Sequence, residues 1–295
     1  MIVLTGPTGN VGAEVARLMV ERETAWPFRI AAHSVERTRA RLDAPQAPVV
    51  AFDYDDRTTW GPVLDGVTTL FLLFPLPSPR TVTTRMKPFI DAAVAAGCRH
   101  IVYISVPGAD RQKVVPHYAV ERHIEASGAH YTFLRCGFFM QNLCRKVSTH
   151  GVDIMDRGEL FIPGGDGVTT FLDSRDVATV VVQVLTDPSL HRDRSYTLTG
   201  PQQLDLDSAA RLLSRALDRP VRYTRPSLPR FWIRMFGRGV SWDTVLFMTI
   251  VYTLTRLGRN DTSTDQLPEL LGRPATTFER WAHDYRPVFE ARDWT

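Results

Sequence analysis

In the amino-terminal half of the chain, short runs rich in β-branched and aliphatic residues alternate with longer stretches whose apolar positions recur every three or four residues. The runs Ile2–Thr5, Phe28–Ala32, Val49–Phe52, Thr69–Phe74 and His100–Ile104 predict strands, and Tyr131–Leu134 predicts a sixth. Between them, Asn10–Glu21 puts Val11, Val15, Leu18 and Met19 on one face. Thr81–Ala96 does the same with Met86, Phe89, Ile90, Ala93 and Val94, so both predict amphipathic helices, and Val120–Ala126 predicts another. Strand-helix-strand alternation implies a parallel sheet, because parallel neighbours need crossovers and the crossovers are helical. The predicted class is α/β, a doubly wound parallel sheet covered by helices on both faces.

Past residue 150 the alternation fades. Gly164 to Gly167 reads as a turn, Arg175–Leu185 as a helix, Ser195–Leu198 as a short strand and Leu206–Ala216 as a helix. We therefore divide the chain into a domain over residues 1–150, with returning segments near 168–200, and a smaller carboxy-terminal α/β region over 151–295. That region carries Phe231, Trp232, Met235, Phe236, Trp242, Leu246, Phe247, Met248, Ile250 and Tyr252. Such a stretch most often completes a core or makes a subunit contact, and the alternative is the wall of a pocket.

Composition narrows the classes. With 44% hydrophobic and 23% charged residues among 295, the chain is a folded globular protein and not a disordered tail or a disulfide miniprotein. Only Lys87, Lys113 and Lys146 among the 35 basic residues are lysines, and the arginines are interleaved with acids, so no nucleic-acid face is expected. Cys98, Cys136 and Cys144 have no metal-type spacing, which points to a reducing compartment, the cytoplasm. Met1 runs directly into Ile2-Val3-Leu4, so no secretory signal is expected. The uncharged stretches Gly66–Pro79 and Thr244–Thr255 fall short of the ~20 residues of a membrane helix.

The sharpest chemical signal is Thr5-Gly6-Pro7-Thr8-Gly9-Asn10-Val11-Gly12, directly after the first strand and opening the first helix. A pyrophosphate needs backbone N–H groups at a helix N-terminus, and residues without Cβ where the backbone turns tightly and meets the ligand. The Gly-x-x-Gly-x-x-Gly spacing differs from the commonest dinucleotide fingerprint, but its position supplies what that fingerprint supplies. No Gly-Lys-Ser/Thr ending follows, which excludes a triphosphate P-loop. At the end of the second strand the chain reads Ala32-His33-Ser34-Val35-Glu36-Arg37. His33 and Ser34 can donate hydrogen bonds and Arg37 offers a planar fork to a 2′-phosphate, which favours NADP, with Glu36 as the competing signal for NAD.

Further stretches resemble the NmrA-like family of atypical short-chain dehydrogenases over nearly the whole chain. They are Phe52-Asp53-Tyr54-Asp55-Asp56, Ala92 to Ser105, His117-Tyr118-Ala119-Val120-Glu121 with Glu125 to Gly128, Tyr131 to Leu143, Phe171 to Val177, Tyr196 to Pro201, and Leu271-Gly272-Arg273-Pro274. The resemblance implies a Rossmann-like domain binding NADPH or NADH, a small carboxy-terminal domain, and substrate bound between them. Carried over, Asp53 and Tyr54 would lie near the adenine, and Phe74, Pro75 and Leu76 would contact ribose and pyrophosphate. Ser105 and Val106 would follow the fifth strand at the switch-point side of the sheet. Phe138, Phe139, Met140 and Asn142 would border nicotinamide and substrate; Cys136 stands where the family usually has Pro.

The wider short-chain dehydrogenases use Tyr-x-x-x-Lys to protonate a carbonyl oxygen. Here Tyr118 is followed by Arg122 in place of that Lys, a substitution that is not conservative. Tyr118, His117 and Lys113 are the candidate acids, Lys113 because related isoflavone-reductase-like enzymes carry a Lys shortly before the helix Glu. Glu121 is expected to cap or pair within its helix, and Arg135 to satisfy it or a strand end. A metal on His117, Glu121 and His123 lacks a third-ligand motif, and no Gly-x-Ser-x-Gly elbow occurs. A weak acid suits acceptors that take hydride into a delocalised system. The expected function is NAD(P)H-dependent hydride transfer to a quinone-like or conjugated carbonyl compound. The alternatives are a non-catalytic NADP-sensing regulator acting through a protein partner, and an isomerase or lyase using bound cofactor internally. Expected partners are a small aromatic substrate and a second copy in a homodimer, with no nucleic acid or membrane.

Overall fold

The computed structural model describes residues 1–22, 26–75, 78–144 and 148–292. Strand β1 (Ile2–Leu4) leads through the glycine-rich turn into α1 (Asn10–Glu21), followed by β2 (Phe28–Ala32), α2 (Val35–Arg41), β3 (Val49–Ala51), α3 (Trp60–Leu64) and β4 (Thr69–Leu72). The next crossover joins α4 (Pro79–Thr81), a π-helical stretch Val82–Met86 and α5 (Lys87–Ala95); then come β5 (His100–Ser105), α6 (Pro116–Ala126) and β6 (His130–Cys136). After these stand β7 (Phe138–Phe139), α7 (His150–Arg157), β8 (Glu159–Leu160), β9 (Val168–Leu172), α8 (Ser174–Thr186), β10 (Arg194–Leu198), β11 (Gln203–Asp205), α9 (Leu206–Leu217) and β12 (Arg222–Tyr223). The chain closes with α10 (Leu228–Gly237), α11 (Trp242–Arg256), α12 (Gln266–Leu271), α13 (Phe278–Asp284) and α14 (Arg286–Ala291).

Two compact units result, one of residues 1–136 and 177–197, the other of 137–176 and 198–295. The division falls at Cys136 and Gly137, before the residue 150 set from the sequence, because the run after β6 turns directly into β7, which pairs with β9 of the second unit.

In the first unit a seven-stranded sheet has the order β10-β6-β5-β4-β1-β2-β3. Ile2 lies opposite Phe28 on one side and Thr69 on the other, Thr69 opposite His100, and His100 opposite His130, all in parallel register. The carboxyl ends of β1 to β5 therefore share one edge, and strand order reverses at β1, where open α/β sheets bind ligands. Helices cover both faces, so β1, β4 and β5 are buried at every position, as their continuous apolar runs require. Val3, Leu70, Ile101, Tyr103 and Phe133 meet Phe89, Ile90, Val120 and Ile124 in one core.

Two helix expectations need correction. The predicted Thr81–Ala96 helix is broken into the π stretch and α5 because Pro88 lacks an N–H and crowds the carbonyl one turn back. The helix expected from Val120 begins at Pro116, a residue pre-set for a first turn, so His117 and Tyr118 are helical.

The second unit holds a three-stranded sheet β11-β9-β7, a parallel pair β12-β8, and a helical core. The aromatic stretch has two faces. Phe231, Met235, Val245, Met248 and Tyr252 are core, with Phe278 and Trp281 of α13, whereas Trp232, Ile233, Phe236, Trp242, Leu246, Phe247 and Ile250 are exposed. Buried Asp173 receives Arg175 and Gln141, and buried Asp176 receives Arg273 and the Thr276 N–H, so neither is a free catalytic carboxylate.

Candidate functional site

The turn after β1 is anchored by Thr5, whose N–H and hydroxyl both donate to the Phe71 carbonyl while its oxygen accepts from the Leu73 N–H at 2.9 Å. This clamps the ends of β1 and β4 together. Gly6 has φ +65°, a left-handed conformation, and a Cβ there would come 2.7 Å from Leu73 Cδ1. A Cβ on Gly12 would stand 2.1 Å from the Gly6 carbonyl oxygen, so α1 can approach the turn only with glycine at that place. Gly9 differs, since its Cβ would meet nothing closer than 3.4 Å. It caps α1 without a side-chain hydrogen bond. Thr8 is exposed, Asn10 opens the helix, and the Val11 side chain is core, leaving only its backbone for a ligand. A helix N-terminus laid open by glycine fits the pyrophosphate of a dinucleotide.

At the end of β2, His33 is exposed, with Nε2 3.5 Å from Asp53 Oδ2 after β3. Ser34 is the N-cap of α2, accepting from the Arg37 N–H at 3.4 Å, which leaves the hydroxyl proton to donate. Arg37 and Glu36 both occupy the exposed first turn of α2. Asp53 also accepts from the Asp55 N–H, and Tyr54 donates to the Leu73 carbonyl at 3.2 Å, tying the β3 exit to the β4 exit. Pro75 is half-buried just after Phe74. Leu76 lies outside the described residues.

Phe74 packs edge-on against His117, with ring centroids 4.9 Å apart. The His117 Nδ1 is 2.7 Å from the Tyr103 hydroxyl. Burial raises the Tyr103 phenol well above its ordinary range and pulls His117 down to about 3. Tyr103 thus keeps its proton and His117 is a neutral imidazole, the two sharing a hydrogen bond in which either can be the donor. His117 can give a hydrogen bond but is no cationic acid.

Ser105, at the end of β5, is 1% exposed and donates to Glu121 Oε1 at 2.6 Å. Arg135 grips the same carboxylate with two bonds of 3.0 and 2.7 Å. The expectation that Arg135 satisfies Glu121 is met, but the Ser105 hydroxyl is spent inside this network, and Val106 after it is half-buried. The Tyr118-to-Arg122 pairing does not reproduce Tyr-x-x-x-Lys. Arg122 lies 5.5 Å from the centre of the Tyr118 ring, away from a hydroxyl role, and its charge meets Glu125 at 2.7 Å. Lys113 is exposed in the turn before α6. His117, Glu121 and His123 diverge, His123 pairing with Asp91 at 2.7 Å, so they form no ligand set.

The residues expected at the substrate lie in the second unit. Phe138 is half-buried against Phe171, 5.5 Å between centroids, and Phe139 is half-buried beside it. Met140 is 1% exposed, in the 3₁₀ turn after β7, and packs inside the second unit's core. The half-buried Asn142 accepts from Ser148 through its carbonyl at 2.6 Å.

Burial also holds His150 down to about 3 and His100 to about 4, so three imidazoles including His117 are neutral in the folded chain. Unfolded, each protonates near its ordinary 6.5, so below that pH the unfolded chain binds more protons and stability falls as pH drops toward 4. Urea unfolding between about pH 6.5 and 4 is expected to lose about 1.4 kcal/mol per histidine per pH unit. A flat dependence would contradict the buried neutral state.

The NmrA-like family profile matches residues 1–239. The NAD(P)H azoreductase of Xenophilus azovorans is 34% identical, over 99% of this chain and 100% of its own length. A (4-alkanoyl-5-oxo-2,5-dihydrofuran-3-yl)methyl phosphate reductase of Streptomyces griseus is 30% identical, over 98% of this chain and 99% of its own. Among solved structures, an NADPH-dependent quinone oxidoreductase of Escherichia coli in complex with NADPH shares the fold at a TM-score of 0.80 and 24% identity, covering 96% of this chain and 99% of that one. Among the described residues, no helix is long and apolar enough to cross a membrane.

Proposed function

The chain belongs to the NmrA-like family, and from that premise we propose that it is an NAD(P)H-dependent reductase acting on flat conjugated acceptors of the quinone or azo type, with NADPH preferred. The observation that carries this reading is the turn at the switch point, where Gly6 and Gly12 leave room for backbone and none for a Cβ. When bound, the reduced nicotinamide supplies the hydride. The chain's own residues bind and orient. The N-terminus of α1 takes the pyrophosphate, the Ser34 hydroxyl and the Arg37 guanidinium take the 2′-phosphate, and Tyr54 and Asp53 border the adenine.

The Arg37→Glu variant is expected to lose at least about tenfold in NADPH affinity while NADH affinity stays level or rises, since a charge-assisted contact becomes a repulsion. Equilibrium titration with both cofactors reads this, and an unchanged ratio would remove Arg37 from the 2′-phosphate.

Proton supply follows from the same geometry. Arg122 is committed to Glu125 and stands over the Tyr118 ring, so the Tyr-x-x-x-Lys arrangement that supplies an acid in the wider short-chain dehydrogenases is not reproduced at Tyr118. Quinones and azo compounds accept hydride into a delocalised system and take the proton from water. Tyr118→Phe is expected to keep quinone turnover near the parent value, far from the ~10²–10⁴-fold loss that follows removal of a general acid. A loss of that size would make Tyr118 the catalytic acid.

A further inference from the structure

The opposite edge of the first unit's sheet holds a second constellation. Thr69, His100 and His130 are the first residues of β4, β5 and β6 and stand side by side in register. With Thr68, Arg99, Pro188 and Arg192 they line a cavity of about 360 Å³. No carboxylate lines it. Asp193, which follows Arg192, is already held by His130 Nδ1 at 2.8 Å and the Tyr131 N–H at 3.2 Å. Among the described residues, neither the Arg99 nor the Arg192 guanidinium has an anionic partner.

His100 sharpens the picture. It is 4% exposed, and its Nε2 stands 2.8 Å from Thr132 Oγ1, which gives its own proton to the His191 carbonyl at 2.7 Å. His100 Nε2 must therefore donate, and its buried Nδ1 is left without a hydrogen-bond partner. Burial first, then the neighbouring His130 and Arg192, disfavours the imidazolium here, with the Asp193 carboxylate acting the other way. A cavity walled by two unopposed arginines, two imidazoles and two threonines is short of negative charge. Unpaired guanidinium forks are well matched to tetrahedral oxyanions.

We infer that this cavity binds a phosphate group, free or carried on a small ester. The site is separate from the glycine-rich turn, because the six residues of β5 put the two edges of the sheet about 17 Å apart. It goes beyond the reductase reading and stands without it.

The test is a titration of the folded protein with inorganic phosphate, at ionic strength held constant with sodium chloride, following the ring C–H resonances of His130 and His100. Both are expected to shift saturably. The double variant Arg99→Gln, Arg192→Gln is expected to bind phosphate at least about tenfold more weakly. Both arginines are exposed, so the fold is retained, and unchanged circular dichroism and NADPH affinity would establish that the loss is local. Glycerol phosphate serves as the ester probe; tighter binding than phosphate assigns the site to an ester, and weaker binding assigns it to the free anion. A linear response to phosphate, a response matched by chloride, or equal binding by the double variant would overturn the inference. Failure of the parent to bind NADPH would leave it standing and count against the reductase reading alone.

Discussion

Gly12→Ala is expected to weaken NADPH binding at least about tenfold, because losing one charge-assisted hydrogen bond to the pyrophosphate costs about 1.5–3 kcal/mol. The added methyl would sit 2.1 Å from the Gly6 carbonyl oxygen and 2.7 Å from Leu73 Cδ1, so α1 must back away from the turn. That movement withdraws the helix N-terminus from the place proposed for the pyrophosphate. A misfolded variant would give the same loss, and Gly9→Ala separates the two causes. Its methyl meets nothing in the protein closer than 3.4 Å, so the fold should be kept at only the cost of a poorer helix cap, about 1 kcal/mol, while affinity still falls if phosphate approaches that backbone. Parental affinity in both variants would remove the dinucleotide from the turn.

The second large effect concerns stability. Arg135→Leu leaves the Glu121 carboxylate, 0% exposed, without its bidentate partner, and is expected to cost about 3–5 kcal/mol in denaturant unfolding. Removing both charges with Glu121→Leu and Arg135→Leu should recover most of that loss, since a buried pair replaced by apolar side chains is often near neutral. A single variant as stable as the parent would show that water reaches Glu121. The network joins Ser105 at the end of β5, Glu121 in the middle of α6 and Arg135 near the end of β6, so its role is to hold these three elements together.

Much of this arrangement is legible in the sequence because it rests on local patterns. The doubly wound order follows from strand and helix periods in the first half, and the glycine turn is recognisable because Gly6, Gly9 and Gly12 fall between a strand and a helix. Less legible is whatever depends on partners distant in sequence. That Ser105 is consumed by Glu121, or that His117 is buried against Tyr103, is a matter of which side chains the crossover of α6 brings together. Spacing alone puts Arg122 four residues after Tyr118, but only the packing shows Glu125 taking its charge and leaving the guanidinium against the ring face. Met140 is read from the sequence as bordering nicotinamide and substrate, and its place inside the second unit's core depends on packing that the sequence pattern does not announce. The π stretch before α5 had a visible cause, since Pro88 lies inside an otherwise regular apolar pattern.

The central claim is hydride transfer from bound NADPH to a conjugated acceptor. The most direct measurement mixes the purified protein with NADPH and a panel of quinones and azo dyes, and follows the reduced-nicotinamide absorbance together with the acceptor. The account predicts NADPH loss that depends on acceptor and enzyme, matches acceptor reduced mole for mole, and is reduced in Gly12→Ala. Tight binding of NADPH and NADP⁺ with no oxidation across the panel would contradict it.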